Sequence, residues 1–232
     1  MNDTNRQVKI GLGLILKSVS LMVFFVVLTV LLAGRLDYWQ GWVFNGLNIF
    51  FLLVTWIVLR NRKDLIRERL KPGEGMKKWD RVYYLVSTPL YFVMFILSVL
   101  DAARFSWSSR VPIILVVVSI VIYTIGQIVI IWAKKANRFF SSVVRIQKDR
   151  EQTVCTDGPY RYVRHPGYSA GLLYTVATPL LLGSFWGLLP VVPIMVVVIV
   201  RTSLEDKTLL AELAGYQDYA RKVRYRLVPH IW

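Results

Sequence analysis

Five apolar blocks run along the chain, separated by polar and mostly basic stretches. The first covers residues 10–34, with Lys17 as its one interior charge. Residues 38–59, 82–100 and 111–133 follow, with 22, 19 and 23 uncharged positions. Each meets the roughly 20-residue requirement for a bilayer-spanning helix. The fifth block, residues 167–200, holds 34 positions without a charge. As one straight helix it would be about 50 Å long, against a hydrocarbon core of about 30 Å. Pro179, Gly183, Gly187 and Pro190 lie in its middle. The pattern therefore predicts a helical hairpin that turns near residues 183–187, with short arms that tilt, thin the bilayer or only re-enter it. The fold expected is an all-α polytopic membrane bundle of about six transmembrane helices, the last two forming the hairpin.

The charges orient this bundle. With both termini in the cytoplasm, 26 of the 29 basic residues fall inside, in residues 1–17, 60–81, 134–164 and 201–226. Only Arg35, Arg104 and Arg110 fall outside, a split that fits the positive-inside rule. Trp39, Trp42, Trp107 and Trp186 sit at expected outer edges, and Trp79 and Trp132 at inner ones, as an aromatic belt. Residues 60–81 read as an amphipathic helix on an anionic membrane surface. A formal charge of +15 invites a nucleic-acid reading, but these basic residues flank apolar spans, so no nucleic-acid partner is expected. Cys155 is the single cysteine, which excludes an intramolecular disulfide. The apolar block behind the polar start is too long for a signal-peptide core, so it is expected to be retained as a first helix. The expectation is a multi-pass protein of a prokaryotic inner membrane.

Chemistry concentrates where the charges return. Residues 152–168 are polar and turn-rich, with turn signals at Gly158-Pro159 and Pro166-Gly167. Arg161, Arg164, His165, Tyr160, Tyr162 and Tyr168 crowd this stretch, immediately before the hairpin. At the hairpin's far end Arg201 and Glu205 are four apart, on one helical face. A local ion pair closing a membrane helix is the plain reading of such a pair. Its proximity to Arg164-His165 across the hairpin favours a functional one. His165 and His230 with one cysteine make a poor zinc set, Ser169 has no recognisable triad partners, and phosphate-binding glycine loops are absent from the sequence.

Residues Gly158-Pro-Tyr160-Arg-Tyr-Val-Arg164-His165-Pro166-Gly167-Tyr168 match Gly-x-Tyr-x-x-x-Arg-His-Pro-x-Tyr. With Arg201-x-x-x-Glu205-Asp206, Tyr216-x-x-Tyr219 and Arg226-Leu-Val-Pro229, this resembles the isoprenylcysteine carboxyl methyltransferase family, within a wider group that includes phospholipid N-methyltransferases. The likeness covers the chain from Tyr123 onward. It divides the chain into residues 1–110, N-terminal helices with the basic loop, and 111–232, a methyltransferase core. That core holds the fourth helix, a cofactor segment 145–168, the hairpin and a cytoplasmic tail 201–232. The resemblance implies S-adenosylmethionine as cofactor in a cytoplasmic pocket under the hairpin. It implies cofactor contacts from Arg145, Gln152, Thr153, Val154, Cys155, Tyr160, His165, Pro166, Gly167, Tyr168 and Glu205. Arg145 and Gln152 depart from the eukaryotic residues, and Asp206 replaces the second glutamate of the common pair. Arg201 matches a substrate-facing arginine, and Arg201, Glu205 and Arg164 are the expected catalytic set.

The acceptor implied is a lipophilic small molecule, lipid or lipidated substrate that enters between helices. A carboxylate nucleophile needs no base, and Arg201 would clamp it bidentately. An amine acceptor would need Glu205 or Asp206 as base. Membrane sterol reductases resemble the same region, and an NADPH reading would use Arg145, Arg161 and Arg164 on a 2′-phosphate. A transporter would place polar groups at mid-bilayer; Asn45, Asn48 and Gln127 are few, and suit interhelical hydrogen bonds.

Overall fold

The computed structural model describes residues 3–60, 62 and 73–232. Seven α-helices lie among them, and no strand. They are α1 (Asp3–Ala33), α2 (Trp39–Leu59), α3 (Lys78–Val99), α4 (Ile113–Ala136), α5 (Pro166–Leu181), α6 (Val191–Glu212) and α7 (Tyr216–Lys222). A π-helical turn, Leu100–Phe105, prolongs α3. Most of the amphipathic helix expected within residues 60–81 lies outside the described residues, and α3 begins four residues before the apolar block expected there.

Helices α1 to α4 and α6 are long and apolar enough to cross a membrane. Their large apolar side chains face outward, such as Leu85 at 76% and Leu31 at 67% exposure. Such a surface is costly in water and suits lipid. The protein is a multi-pass membrane bundle. α5 has 16 residues, which makes it about 24 Å long, short of the roughly 30 Å core. It is the short arm anticipated for the hairpin, and it lies against α4. A Cβ on Gly126 of α4 would stand 3.0 Å from the Ala170 carbonyl oxygen of α5, so glycine suits that close approach and a larger residue would push the helices apart. α6 packs on α3 through Met94, Val191, Ile194 and Val198, all buried.

The hairpin turns where the Pro/Gly pattern placed it. α5 ends at Leu181 and α6 begins at Val191, with Gly183 at φ +83° between them. Asp101, 1% exposed, fastens the turn: it accepts hydrogen bonds from Ser184 Oγ (2.6 Å), Ser108 Oγ (2.6 Å) and Ser108 N (2.7 Å). A Cβ at Gly187 would fall 2.0 Å from Ser98 Oγ. The polar residues considered for a transport path are spent inside the bundle. Asn45 donates to Thr29 Oγ1 (3.0 Å) and the Gly41 carbonyl (2.8 Å), and Asn48 accepts from Tyr123 OH (2.9 Å).

Candidate active site

A carboxylate organises the basic end of the bundle. Asp206, fully buried on α6, accepts from Arg164 Nε and Nη2 (both 2.8 Å), Arg226 Nε (2.8 Å) and Tyr216 OH (2.9 Å). His165 Nε2 lies 3.2 Å from the same carboxylate. One acid thus ties together the turn before α5, helix α6, helix α7 and the tail. Backbone bonds reinforce it, since Arg164 N and His165 N donate to the Tyr225 and Arg226 carbonyls (both 2.9 Å). Burial works against the Arg164 charge, but the hydrogen bonds and field of Asp206 outweigh it and push the guanidinium above its ordinary value. Such a fully satisfied network fixes a unique geometry.

That geometry encloses a cavity of about 430 Å³, within the ~300–1,000 Å³ usual for small-molecule sites. It is walled by the segment between α4 and α5, the first turns of α5, and the faces of α3, α4, α6 and α7. Tyr83, Tyr91, Ile130, Tyr174 and Val198 carry its lining into the apolar bundle. At its centre Tyr168 OH donates to Glu205 Oε2. Among the described residues, Glu205 Oε1 has no hydrogen-bond partner, and no buried side-chain oxygen or nitrogen is unsatisfied, so this oxygen opens on the cavity.

Arg201 and Glu205 share a face of α6 but do not pair with each other. Arg201, 6% exposed, donates from Nε to Asp80 Oδ1 (2.9 Å) and from Nη2 to the Ser142 carbonyl (2.7 Å) and Asp80 Oδ2 (3.3 Å). Its guanidinium carbon also lies over the Tyr83 ring at 4.1 Å. Only Nη1 is left without a hydrogen bond among the described residues. The bidentate clamp expected of Arg201 is therefore corrected to a single open nitrogen.

The structure gathers the residues expected from sequence at one place, with specific exceptions in their roles. Arg145, Gln152, Thr153, Val154, Cys155, Tyr160, Arg164, His165, Gly167, Tyr168, Arg201 and Glu205 all line the cavity. Pro166 does not: it is fully buried at the first position of α5, where its fixed φ and missing N–H suit a helix start. Arg164 is expected in the catalytic set but commits every guanidinium nitrogen, Nη1 going to the Val223 and Arg224 carbonyls (2.9 and 2.7 Å). It holds the tail, with four of its five N–H donors spent there and on Asp206. Arg145 donates to Asp149 (3.0 Å). Gln152 turns its Oε1 to Gln147 N (2.8 Å) and so closes a loop. Thr153 to Cys155 form an extended wall without a strand partner among the described residues. Burial pushes the Cys155 thiol above its ordinary value. The Tyr160 hydroxyl, which accepts from Asn137 Nδ2 (3.2 Å), is likewise pushed up by burial. The Tyr168 ring is already engaged, with His165 stacked 5.8 Å away and Arg201 at 5.2 Å.

Sequence reasoning missed Gln147, 1% exposed, whose Nε2 donates to the Phe139 carbonyl (2.7 Å) behind the cavity wall. It also missed everything from α3: Asp80, Tyr83, Tyr84 and Tyr91. The one available signal was an acid, Asp80, among the lysines and arginine of residues 77–81, at the start of a span.

Residues 112–215 match the phospholipid methyltransferase family model, and over this stretch the chain is similar to that family. A 51-residue segment, 22% of the chain, is 37% identical to the protein-S-isoprenylcysteine O-methyltransferase of Schizosaccharomyces pombe. A 66-residue segment, 28% of the chain, is 38% identical to a protein of Oryza sativa subsp. indica named probable protein-S-isoprenylcysteine O-methyltransferase. The aligned segments cover 22% and 35% of those two relatives.

Proposed function

We infer from this family relationship and this cavity that the chain is an integral membrane methyltransferase that uses S-adenosylmethionine to O-methylate a carboxylate on a lipophilic acceptor. One observation carries the reading: Glu205 with an open oxygen and Arg201 with an open nitrogen share a face of α6, in a cavity whose lining turns apolar. The donor set suits S-adenosylmethionine, which when bound supplies a methyl group made electrophilic by its sulfonium. Glu205 Oε1 would accept from an ammonium or from ribose hydroxyls. Tyr160 and the extended wall of residues 153–155 would flank the nucleoside.

Arg201 Nη1 would receive one oxygen of the acceptor carboxylate by a charge-assisted hydrogen bond. A carboxylate needs no base, so the protein's task is to hold the nucleophile in line with the methyl group, an effect worth several kcal/mol or more. The aromatic lining strengthens each of these charges by excluding water. Two competing readings each lose part of their residue set, the amine reading keeping only Glu205 as base and the NADPH reading only Arg145. Asp206 is saturated by its donors and cannot serve an amine as base. For a 2′-phosphate, Arg161 stands in solvent beside Asp157 and Arg164 is spent on Asp206. The same reading has both termini cytoplasmic and residues 111–232 as the core. The acceptor's tail would enter laterally between α3 and α4, past Tyr91 and Ile130.

The names of the two relatives make an N-acetyl-S-isoprenylcysteine the acceptor to try first. With S-adenosylmethionine carrying a deuterated methyl, the purified protein is expected to yield the labelled methyl ester, and Glu205→Gln to weaken S-adenosylhomocysteine binding at least tenfold. NADPH displacing S-adenosylhomocysteine, or full binding by Glu205→Gln, would overturn the reading.

A further inference from the structure

We propose that Asp80, on a helix outside the family match and outside the sequence resemblance, is the positioning residue that aims Arg201 into the cavity. The proposal rests on the function inferred above. Asp80 is fully buried in the first turn of α3 and faces three donors. Its Oδ1 takes Arg201 Nε (2.9 Å), and its Oδ2 takes Val144 N (2.8 Å) and, more weakly, Arg201 Nη2 (3.3 Å). Tyr83 and Tyr84, the next residues on that face, stack against the same guanidinium at 4.1 and 5.1 Å. Tyr84 OH donates to the Ser142 carbonyl, which also receives Arg201 Nη2.

Turning Arg201 out of the cavity, or bringing its Nε edge round to a substrate, would break these contacts. Two edges of the guanidinium are held and one nitrogen is presented. A long, flexible side chain would otherwise lose much of its orientation to rotamer freedom. Asp80 does not itself line the cavity, so its effect passes through Arg201. The N-terminal helices are on this account part of the catalytic unit.

Asp80→Asn separates the two jobs of the carboxylate. An asparagine whose oxygen replaces Oδ2 keeps the Val144 bond and so the cavity wall, while its amide nitrogen faces the Arg201 Nε donor. The expected result is S-adenosylhomocysteine binding within threefold of the wild type, with kcat/KM for the N-acetyl-S-isoprenylcysteine lowered about 10- to 100-fold, the cost of one lost charge-assisted orientation. Placed in an Arg201→Lys background, the same substitution is expected to add less than threefold, because the group it positions is already gone. Activity within threefold of wild type, a loss of equal size in the Arg201→Lys background, or a parallel loss of S-adenosylhomocysteine binding would each overturn the proposal. A wild type that binds S-adenosylhomocysteine but leaves this acceptor unmethylated would overturn the acceptor and not the positioning. The comparison would then be read on the lipophile in a membrane extract that takes up deuterated methyl. A wild type that binds no S-adenosylhomocysteine would overturn both.

Discussion

Replacing Asp206 by alanine tests the network beneath the cavity. The substitution removes the carboxylate that holds Arg164 through two 2.8 Å bonds, Arg226 through one and Tyr216 through another. Arg164 is 8% exposed, so its charge would be left inside without a partner. Breaking a buried pair from one side costs about 3–5 kcal/mol. Arg226 adds less, because its side chain is 30% exposed and water can reach it. About 3–5 kcal/mol is a large share of a total stability of roughly 5–15 kcal/mol. The tail from Tyr216 on should therefore come loose, and S-adenosylhomocysteine binding should fall with it. Thermal unfolding in detergent reads the stability, and the rate of trypsin cleavage at Arg221 and Lys222 reads the tail. Asp206→Asn, which keeps the shape and one acceptor oxygen, is expected to lose less, so a graded series distinguishes charge from packing. A full-strength Asp206→Ala protein, melting within about 1 kcal/mol of wild type with its tail protected, would refute the reasoning.

Cys155 offers a probe that needs no mutation. It lines the cavity, it is the single cysteine of the chain, and burial raises its thiol pKa. Maleimide labelling is expected to be slow at neutral pH, to accelerate as pH rises, and to be slowed by S-adenosylhomocysteine; labelling indifferent to that ligand would remove Cys155 from the cofactor wall. Alkaline pH is expected to destabilise the basic end. Burial raises the phenols of Tyr160, Tyr216 and Tyr219, with the Asp206 carboxylate adding to the shift at Tyr216. The folded state therefore holds protons that the unfolded state releases, and stability falls as pH climbs past the ordinary tyrosine value of about 10. Melting temperatures in detergent that stay level well above that pH would contradict these shifts.

The bundle was legible because its signals are long and local. Apolar blocks of nearly twenty residues or more fix helices independently of their neighbours, and the proline and glycine of residues 179–190 forced the last block to fold back. The site was legible where its residues share a short stretch, 152–168, or one helical face, Arg201 and Glu205. What stayed hidden is long-range. Asp80 and Arg201 are separated by 121 positions and meet through packing of α3 on α6, and no periodicity along either helix announces the partner. Roles were harder to read than places. Arg164 and Arg201 both line the cavity, and only their hydrogen bonds show Arg164 tied to Asp206 and the tail while Arg201 keeps one nitrogen open.

Helical geometry explains why adjacent acids on α6 do different work. Residues 201 and 205 are four apart and lie nearly on one line of the helix, whereas residue 206 is rotated from 205 by about 100°. The line through 201 and 205 faces the cavity, where Glu205 keeps one oxygen open and Arg201 one nitrogen. Residue 206 faces the tail, where its carboxylate is surrounded by donors and fully buried. A single rigid helix thus fixes the angle between the acid that faces the cavity and the acid that assembles the tail. Exchanging the two acids' environments is impossible without turning α6, and the Asp101 fastening at the hairpin's other end opposes any such turn. Orientation at the cavity is in this way set partly by hydrogen bonds at the far end of the same bundle.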